Sequence, residues 1–353
     1  MMNHNEPIWK HFDLDNNDYR VALIAGEPSC GMTPVIQEYI VSKMSSMKPI
    51  WVIDAGRNYK HMCHLLNGEY IELQPIVPFS INPFSVIDDF NQSSGLLKLL
   101  LSAIASPSSE LEHEESCYLE KAIEAAWCEK GREASISTVA FWLDKQEMAI
   151  CKTLFERLKP YTKKEKYGCY FEGTASINLS HPFSVIELGE LNTDKNLQRI
   201  IFVTLLFHIF ESMMLNRSQF KFCLIHKICD LLKGNNDGVA GFIEVILRTA
   251  RRFSGGFITT ASSLENYDVN KSTACVFNYA VSKIVFKHSP GSIKKLNNVK
   301  HIYFDPRTKN VLKILKESSV CSECLIQTGD GINTHRFQFG SIQTENGMTY
   351  IKE

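Results

Sequence analysis

Val21-Ala22-Leu23-Ile24-Ala25-Gly26-Glu27-Pro28-Ser29-Cys30-Gly31-Met32-Thr33-Pro34-Val35-Ile36 is the stretch on which the fold turns. The five apolar residues before Gly26 have the length and β-forming composition of a buried strand. After Thr33, apolar residues return at helical spacing (Val35, Ile36, Tyr39, Ile40, Met44). Pro34 fits a first helical turn, where its missing N–H has no acceptor. The residues between have the spacing of a phosphate loop, G-x-x-x-x-G-K-[ST], with Met32 in the lysine place. Such a loop wraps phosphates in backbone N–H groups, sets its lysine on the β/γ-phosphates and its hydroxyl on Mg²⁺. Gly26, Ser29, Gly31 and Thr33 would supply the wrap and the hydroxyl; the charge is gone. On its own, without the lysine, the stretch reads more readily as an ordinary glycine-containing turn between strand and helix.

Composition narrows the function classes. A chain of 353 residues has room for two or three structural units, or one core with a large insertion. Its net charge of −1 gives no global basic field, so direct nucleic-acid binding is not indicated. Eleven scattered cysteines point to reduced thiols in a cytoplasmic setting rather than a disulfide framework. Cys321-Ser322-Glu323-Cys324 lacks the second pair a tetrahedral zinc site needs, so no metal site is expected. Residues 1–18 hold no apolar signal core. The most apolar run, Ile200 to Phe210, lies between Arg199 and Glu211 and falls short of the ~20 residues of a membrane span. It is expected to be a buried core helix.

The pattern divides the chain in three. Residues 1–85 read strand, loop, helix, strand, with a second strand running into Asp54 and a turn at Ile81-Asn82-Pro83-Phe84. Residues 86–166 read as an all-helical insertion, with segments near 96–106, 110–130, 136–146 and 149–158. Ser109 and Ser135 are its candidate helix starts, and the run Lys163-Lys164-Glu165-Lys166 its solvated exit. Residues 167–353 alternate again, with strands near 183–188, 222–225, 256–260 and 283–286 and helices near 195–215, 238–252 and 290–298. Such alternation predicts an α/β fold, a mostly parallel sheet with helices on both faces. Its ligand site would lie beyond the carboxyl ends of the strands. One of those strands ends in His226-Lys227. A P-loop ATPase needs Asp-Glu there, the first acid for the Mg²⁺ shell and the second for the attacking water.

Several segments together resemble the C-terminal ATPase part of the TraC-like ATPases of conjugation and type IV secretion. Trp51 to Lys60 resembles that family's W-V-I-D-x-G-R-S-Y segment, and Ile81 to Phe84 its L-N-P-F turn. Ala105-Ser106-Pro107-Ser108, Ala126 to Gly131 and Tyr167 to Gly173 resemble its helical insertion and exit. Arg248-Thr249-Ala250-Arg251-Arg252-Phe253 resembles its R-R-A-R-K-Y segment. The resemblance runs in order from about residue 15 to the C-terminus. It implies a RecA-like P-loop NTPase fold, with degenerate Walker A in 1–85 and degenerate Walker B in 167–353.

The departures fall on the catalytic positions. Met32 replaces the loop lysine, His226 and Lys227 the acid pair, Ser262 the sensor glutamine and His288 a later glutamine. Thr33, Asp54, Arg248 and Arg251 match, and the resemblance makes the two arginines candidate fingers toward a neighbouring subunit. A charge pair at ~4 Å is worth about 4 kcal/mol at an effective dielectric near 20, so Met32 weakens phosphate binding greatly. His226 is a poor neighbour for a cation that prefers oxygen, and a protonated Lys227 is no general base. The expectation is therefore a pseudo-ATPase with no confident cofactor. ATP and Mg²⁺ would be held only by residual binding at Gly26, Ser29, Gly31, Thr33 and Asp54. Family members carry a large N-terminal region that is not in this sequence, which reads as a truncated form. Its role would be scaffolding or regulation in the transfer machinery, beside an intact TraC-like ATPase and as a homo- or hetero-oligomer. Its place would be the cytoplasm, peripheral at the inner-membrane secretion channel. Two alternatives stand: a weak NTPase whose Lys227 replaces the loop lysine, and a fragment without function.

Overall fold

In the computed structural model the described residues are 14, 20–46, 49–75, 77, 79–215, 217–296, 299, 305–316, 321–329, 331–338, 342–345 and 348–351. Nine strands form one sheet: β1 Val21–Ala25, β2 Ile50–Asp54, β3 Glu69–Glu72, β4 Phe183–Glu187, β5 Lys221–Ile225, β6 Gly255–Ala261, β7 Ser282–Val285, β8 Cys321–Thr328 and β9 Gly331–Gln338. Their order is β3-β4-β2-β5-β6-β1-β7-β8-β9. The pairs from β3 across to β7 are parallel, while β7–β8 and β8–β9 are antiparallel. A separate antiparallel pair joins β10 Ile342–Glu345 to β11 Met348–Ile351. This is the α/β P-loop architecture expected from the sequence. The strands of residues 321–351 and the helices Lys271–Tyr279 and Pro306–Ile314 were not foreseen.

Every residue of β1, β2, β4 and β5 is buried, because helices cover both faces. Side chains alternate across a strand, so odd and even positions serve different cores. Val21, Leu23, Trp51 and Ile53 join one apolar cluster, which runs on into the helices of residues 90–158 and the helix Lys195–Leu215. Ala22, Ile24, Ile50 and Val52 join the other, beneath the helix Met32–Lys43. The helix Lys195–Leu215 has the extent expected from the sequence. At 21 residues and a mean hydropathy of 1.4 it could cross a membrane by length and composition, yet 83% of that stretch is buried inside the fold.

The segments that carried the family resemblance act as bolts. Trp51 Nε1 donates to Leu179 O at 3.0 Å. The fully buried Asn82 amide donates to Ala134 O and Gly173 O, both at 2.8 Å, and accepts from Phe84 N. One side chain thus ties the 81–84 turn to the entry of the helix Ile136–Asp144 and to the chain at 173. The 106–109 turn packs on Gly238, where an added Cβ would lie 2.0 Å from Ser106 O. Of the two expected helix starts, Ser135 caps Ile136–Asp144 in a capping box. Ser109 does not cap; Glu112 starts His113–Lys130, and Ser109 O accepts instead from Ser106 Oγ. Cys321 and Cys324, three apart on β8, lie on opposite faces of a strand and do not converge.

Candidate functional site

The loop after β1 keeps the path of a phosphate loop. Gly26 N donates to Ala261 O at 3.2 Å, and Cys30 N closes a turn on Glu27 O at 3.2 Å. Ser29 and Gly31 have φ of 67° and 87°, so the chain turns through left-handed geometry into Met32–Lys43. The first N–H groups of that helix have no intrahelical acceptors. Side chains, however, fill the loop for packing. An added Cβ on Gly26 would lie 2.4 Å from Cys30 Sγ and 2.8 Å from Phe286 Cβ. Met32 is 8% exposed and belongs to the apolar cluster with Cys30, Ile36 and Phe286. The half-buried Thr33 follows it. Glu27 turns aside to start the helix Pro290–Leu296, accepting from Ser289 N at 2.9 Å and Ser292 Oγ at 2.7 Å. Burial pushes its carboxyl up, but those hydrogen bonds outweigh it and hold it below the ordinary range.

Strand β6 separates β5 from β1, and its end links the two. At the end of β5, His226 is 2% exposed and packs edge-on against Tyr59. Its Nδ1 lies 3.2 Å from both Tyr59 Oη and Thr260 Oγ1. Burial lowers its pKa to about 4 against the pull of nearby Asp54, so the ring is neutral. Burial also raises the Tyr59 phenol, which stays a donor. Nδ1 is thus spent on two buried hydroxyls of the interior. Lys227 follows in left-handed geometry, φ 53°, with its N–H donating to Thr260 Oγ1 at 2.8 Å and its side chain exposed. Ser262 accepts from Asn266 Nδ2 at 3.0 Å. His288 is fully buried between backbone groups: Leu264 N donates to Nε2 at 3.1 Å, and Nδ1 donates to Phe286 O at 2.8 Å.

Asp54 ends β2 fully buried, and its carboxylate is spent on its own turn. It accepts from Ala55 N at 2.8 Å, Asn58 N at 2.6 Å and Asn58 Nδ2 at 2.9 Å. Its register partner on β4 is Glu187, also fully buried, which accepts from Arg57 N and Gly189 N. Burial, then Asp54, raises the Glu187 pKa. Glu187 was missed in the sequence, although it is an acid ending an apolar strand just as Asp54 is. Arg57 spans the surface above, paired with Glu72 at 2.7 Å and with Glu190.

Asp54, Asn58, His226 and Lys227 line a cavity of about 420 Å³ that also takes in Lys195 and Lys233. None of residues 26–33 lines it. Arg248 and Arg251 sit elsewhere, just before β6 and so at the amino end of the sheet. Both are exposed, and Arg248 lies 3.6 Å from Glu244. The structure thus brings Asp54, His226 and Lys227 together around one recess. It holds Gly26, Ser29, Gly31, Met32 and Thr33 in a neighbouring loop, and leaves the two arginines at the far edge.

Comparison with known proteins follows this geometry. A model of the TraG P-loop domain matches residues 7–142. The chain is 29% identical over 315 residues to protein TraC of Escherichia coli (strain K12), which covers 85% of this chain. It spans about a third (36%) of that relative's length. Its fold is similar to VirB4 of Thermoanaerobacter pseudethanolicus, with a TM-score of 0.70 at 15% identity over 89% of this chain and 88% of that one. It is also similar to the conjugative coupling protein TrwB, with a TM-score of 0.64 at 11% identity over 92% and 85%. The likeness to TraC-like conjugation ATPases expected from the sequence is borne out, and the fold is that of their P-loop domain.

Proposed function

We propose that this chain is a pseudo-ATPase, a P-loop domain kept for its shape in conjugative or type IV secretion machinery. The observation that carries the reading is the use made of the catalytic positions: Met32 is packed in an apolar cluster and His226 is neutral and hydrogen-bonded to buried hydroxyls. Mg²⁺ takes oxygen ligands in a near-octahedral shell. Here the acid of β2 is consumed by three donors of its own turn, and β5 ends in nitrogen ligands and an ammonium. The residues present do not fit a hydrolytic Mg²⁺–ATP centre, and no hydrolytic step is derived through one. An anion could still lie against the first-turn N–H groups of the helix Met32–Lys43.

The role that remains is scaffolding or regulation beside an intact relative, peripheral to the secretion channel, with 86–166 as a helical insertion between the two parts of the core. TrwB has been solved with ADP and Mg²⁺, and the same fold here would present similar faces without turnover. Calorimetric titration of Mg²⁺–ATP, with phosphate release in parallel, is the test. The expected result is weak or no binding and no release above buffer. Tight binding with turnover would overturn the proposal and favour the second reading, an NTPase that uses Lys227. That alternative has one supporting feature, the left-handed backbone at Lys227, since strain of this kind gathers at functional sites.

A further inference from the structure

At the amino end of the sheet, away from the phosphate-loop edge, a cavity of about 500 Å³ opens between the start of β2, the segment before β4, the 83–86 turn and the last turns of the helix Lys195–Leu215. Two side chains of that helix line it while almost wholly buried, Glu211 at 4% and His208 at 1% exposure. Glu211 Oε2 accepts from Ser93 Oγ at 2.9 Å, but Oε1 has no hydrogen-bond partner among the described residues. His208 Nε2 lies 2.9 Å from Ile81 O, a group that only accepts, so the ring proton sits on Nε2. Burial lowers the ring's pKa to about 4 and keeps it neutral, which makes the unpartnered Nδ1 a bare acceptor. Buried polar groups are ordinarily paired. The recess beyond β2 and β5 has no orphan of this kind in its lining.

The charges around this pair leave Glu211 without a cation. Arg132 and Asp88, the other charged residues of the lining, pair with each other at 2.7 Å, both more than half exposed. Burial raises the Glu211 carboxyl to about 7 against the hydrogen bond from Ser93, and the charges of Asp88 and Asp89 push the same way as burial. Apolar side chains complete the cavity: Val86 and Ile177 are partly buried in its wall, and Leu215 is 67% exposed beside it. Apolar walls around two acceptors, one of them a carboxyl, suit a cation on an aliphatic stem. A guanidinium suits them better than an ammonium. It is more weakly hydrated, and its rigid fork offers several N–H groups to acceptors one helical turn apart.

We propose that this cavity binds a guanidinium group on an aliphatic stem, with Glu211 meeting its charge and His208 Nδ1 accepting a further N–H. The site lies at the opposite end of the strands from the phosphate loop, and it does not depend on whether that loop holds nucleotide. At about 500 Å³ the cavity lies within the range of small-molecule sites.

The test is calorimetric titration of n-butylguanidinium into the full chain above the Glu211 pKa, at about pH 8. n-Butylammonium is the ammonium control, and the peptide acetyl-Gly-Arg-Gly-amide presents the same group as an arginine side chain. Wild type is compared with Glu211→Gln, which keeps the size of the side chain and an oxygen for Ser93, and with Glu244→Gln, which removes a half-exposed carboxylate elsewhere. Circular dichroism checks that both variants fold. The expected result is a Kd of about 1 mM or tighter for butylguanidinium, weakened at least about tenfold in Glu211→Gln and unchanged in Glu244→Gln. The ammonium should bind at least about tenfold more weakly. A peptide that binds as tightly as butylguanidinium assigns the site to an arginine of a partner chain; a peptide at least about tenfold weaker assigns it to a free guanidine. Absence of binding by both guanidinium probes would overturn the proposal and leave the two orphaned atoms to buried water. So would equal affinity in Glu211→Gln, or an ammonium that binds as tightly.

Discussion

The two halves of the sheet's carboxyl edge treat their polar residues differently. Around β2 and β4, the buried Asp54 and Glu187 are saturated by N–H groups of the adjoining turns. Gln198 nearby donates to Leu188 O and Asn192 Oδ1. Around β1, β5 and β6, the positions that would handle phosphates hold side chains absorbed into the interior: Met32 among apolar neighbours, His226 on two hydroxyls, His288 between backbone groups. The difference separates what a segment does for the fold from what it does for chemistry. Lysine and acids at 32, 226 and 227 would have to be tuned for a reaction. Asp54 and Asn82 have to be in place for the chain to turn at all.

Breaking the structural half should cost most. Asn82→Leu leaves Ala134 O, Gly173 O and Phe84 N without their partner in a dry interior. At 1–3 kcal/mol for each unpaired buried group, a loss of about 4 kcal/mol is expected. Urea denaturation reads it as a lower midpoint with an unchanged slope. A loss below about 1 kcal/mol would mean that the turn does not bolt the helix Ile136–Asp144 in place.

The next effect tests a place that neither half satisfies. Glu211 and His208 lie on one side of the core helix Lys195–Leu215, and Glu211 Oε1 and His208 Nδ1 have no hydrogen-bond partner among the described residues. Burial raises the Glu211 pKa to about 7, while the hydrogen bond from Ser93 lowers it only in part. Between about 4.5 and 7 the folded state then holds a proton that the unfolded chain has released. Glu211 therefore costs stability as pH rises through that window, by up to about 3 kcal/mol above pH 7. His208 acts oppositely: burial lowers its pKa to about 4, so its neutral form favours the fold as pH rises from 4 to 6.5. Because the two slopes oppose, the single variant is the clean readout. Glu211→Gln should match wild type near pH 4.5 and exceed its stability increasingly up to pH 7. A gap that does not change with pH would remove the titration from the explanation.

A smaller effect is expected from restoring the phosphate-loop lysine. Met32→Lys replaces a packed thioether by an ammonium that must reach solvent along its stem. The cost should be about 1–2 kcal/mol in thermal unfolding. ATP turnover should stay at background, because His226 and Lys227 still stand at the end of β5. Turnover gained from this one change would show that the half read as silent lacks only a charge.

The parallel sheet was legible because β1, β2, β4, β5 and β6 are short apolar runs, all but β5 punctuated by glycine or acid, and parallel strands buried on both faces leave that trace. The β8–β9 pair was not, since Glu323, Thr334, His335 and Arg336 interrupt its apolar pattern at the sheet edge. In the site, Met32, His226 and Lys227 stood out because a motif fixes what should be there. Lys195 and Lys233 could not stand out. They belong to no motif, and only the meeting of Lys195–Leu215 with the turn after β5 sets them around one cavity.

The smallest expected effect concerns Arg248, and it sharpens the comparison from outside the site. Its contact with Glu244 is 3.6 Å long and both side chains are about half exposed, a geometry worth no more than about 0.5 kcal/mol. Glu244 also accepts from Tyr279 Oη at 2.9 Å, so removing the arginine leaves the acid a partner. Arg248→Ala should therefore leave the unfolding midpoint within error of wild type. That neutrality makes the variant useful: at the amino end of β6 the guanidinium is remote from this chain's own loop, and it could act only on a neighbouring subunit. In a mixed assembly with an intact TraC-like ATPase, Arg248→Ala should lower the partner's turnover if the arginine is a finger, at unchanged stability and unchanged co-purification. Unaltered turnover in the mixed assembly would restrict Arg248 to its surface contact with Glu244, and the structural half of the molecule would then be the whole of what this domain contributes.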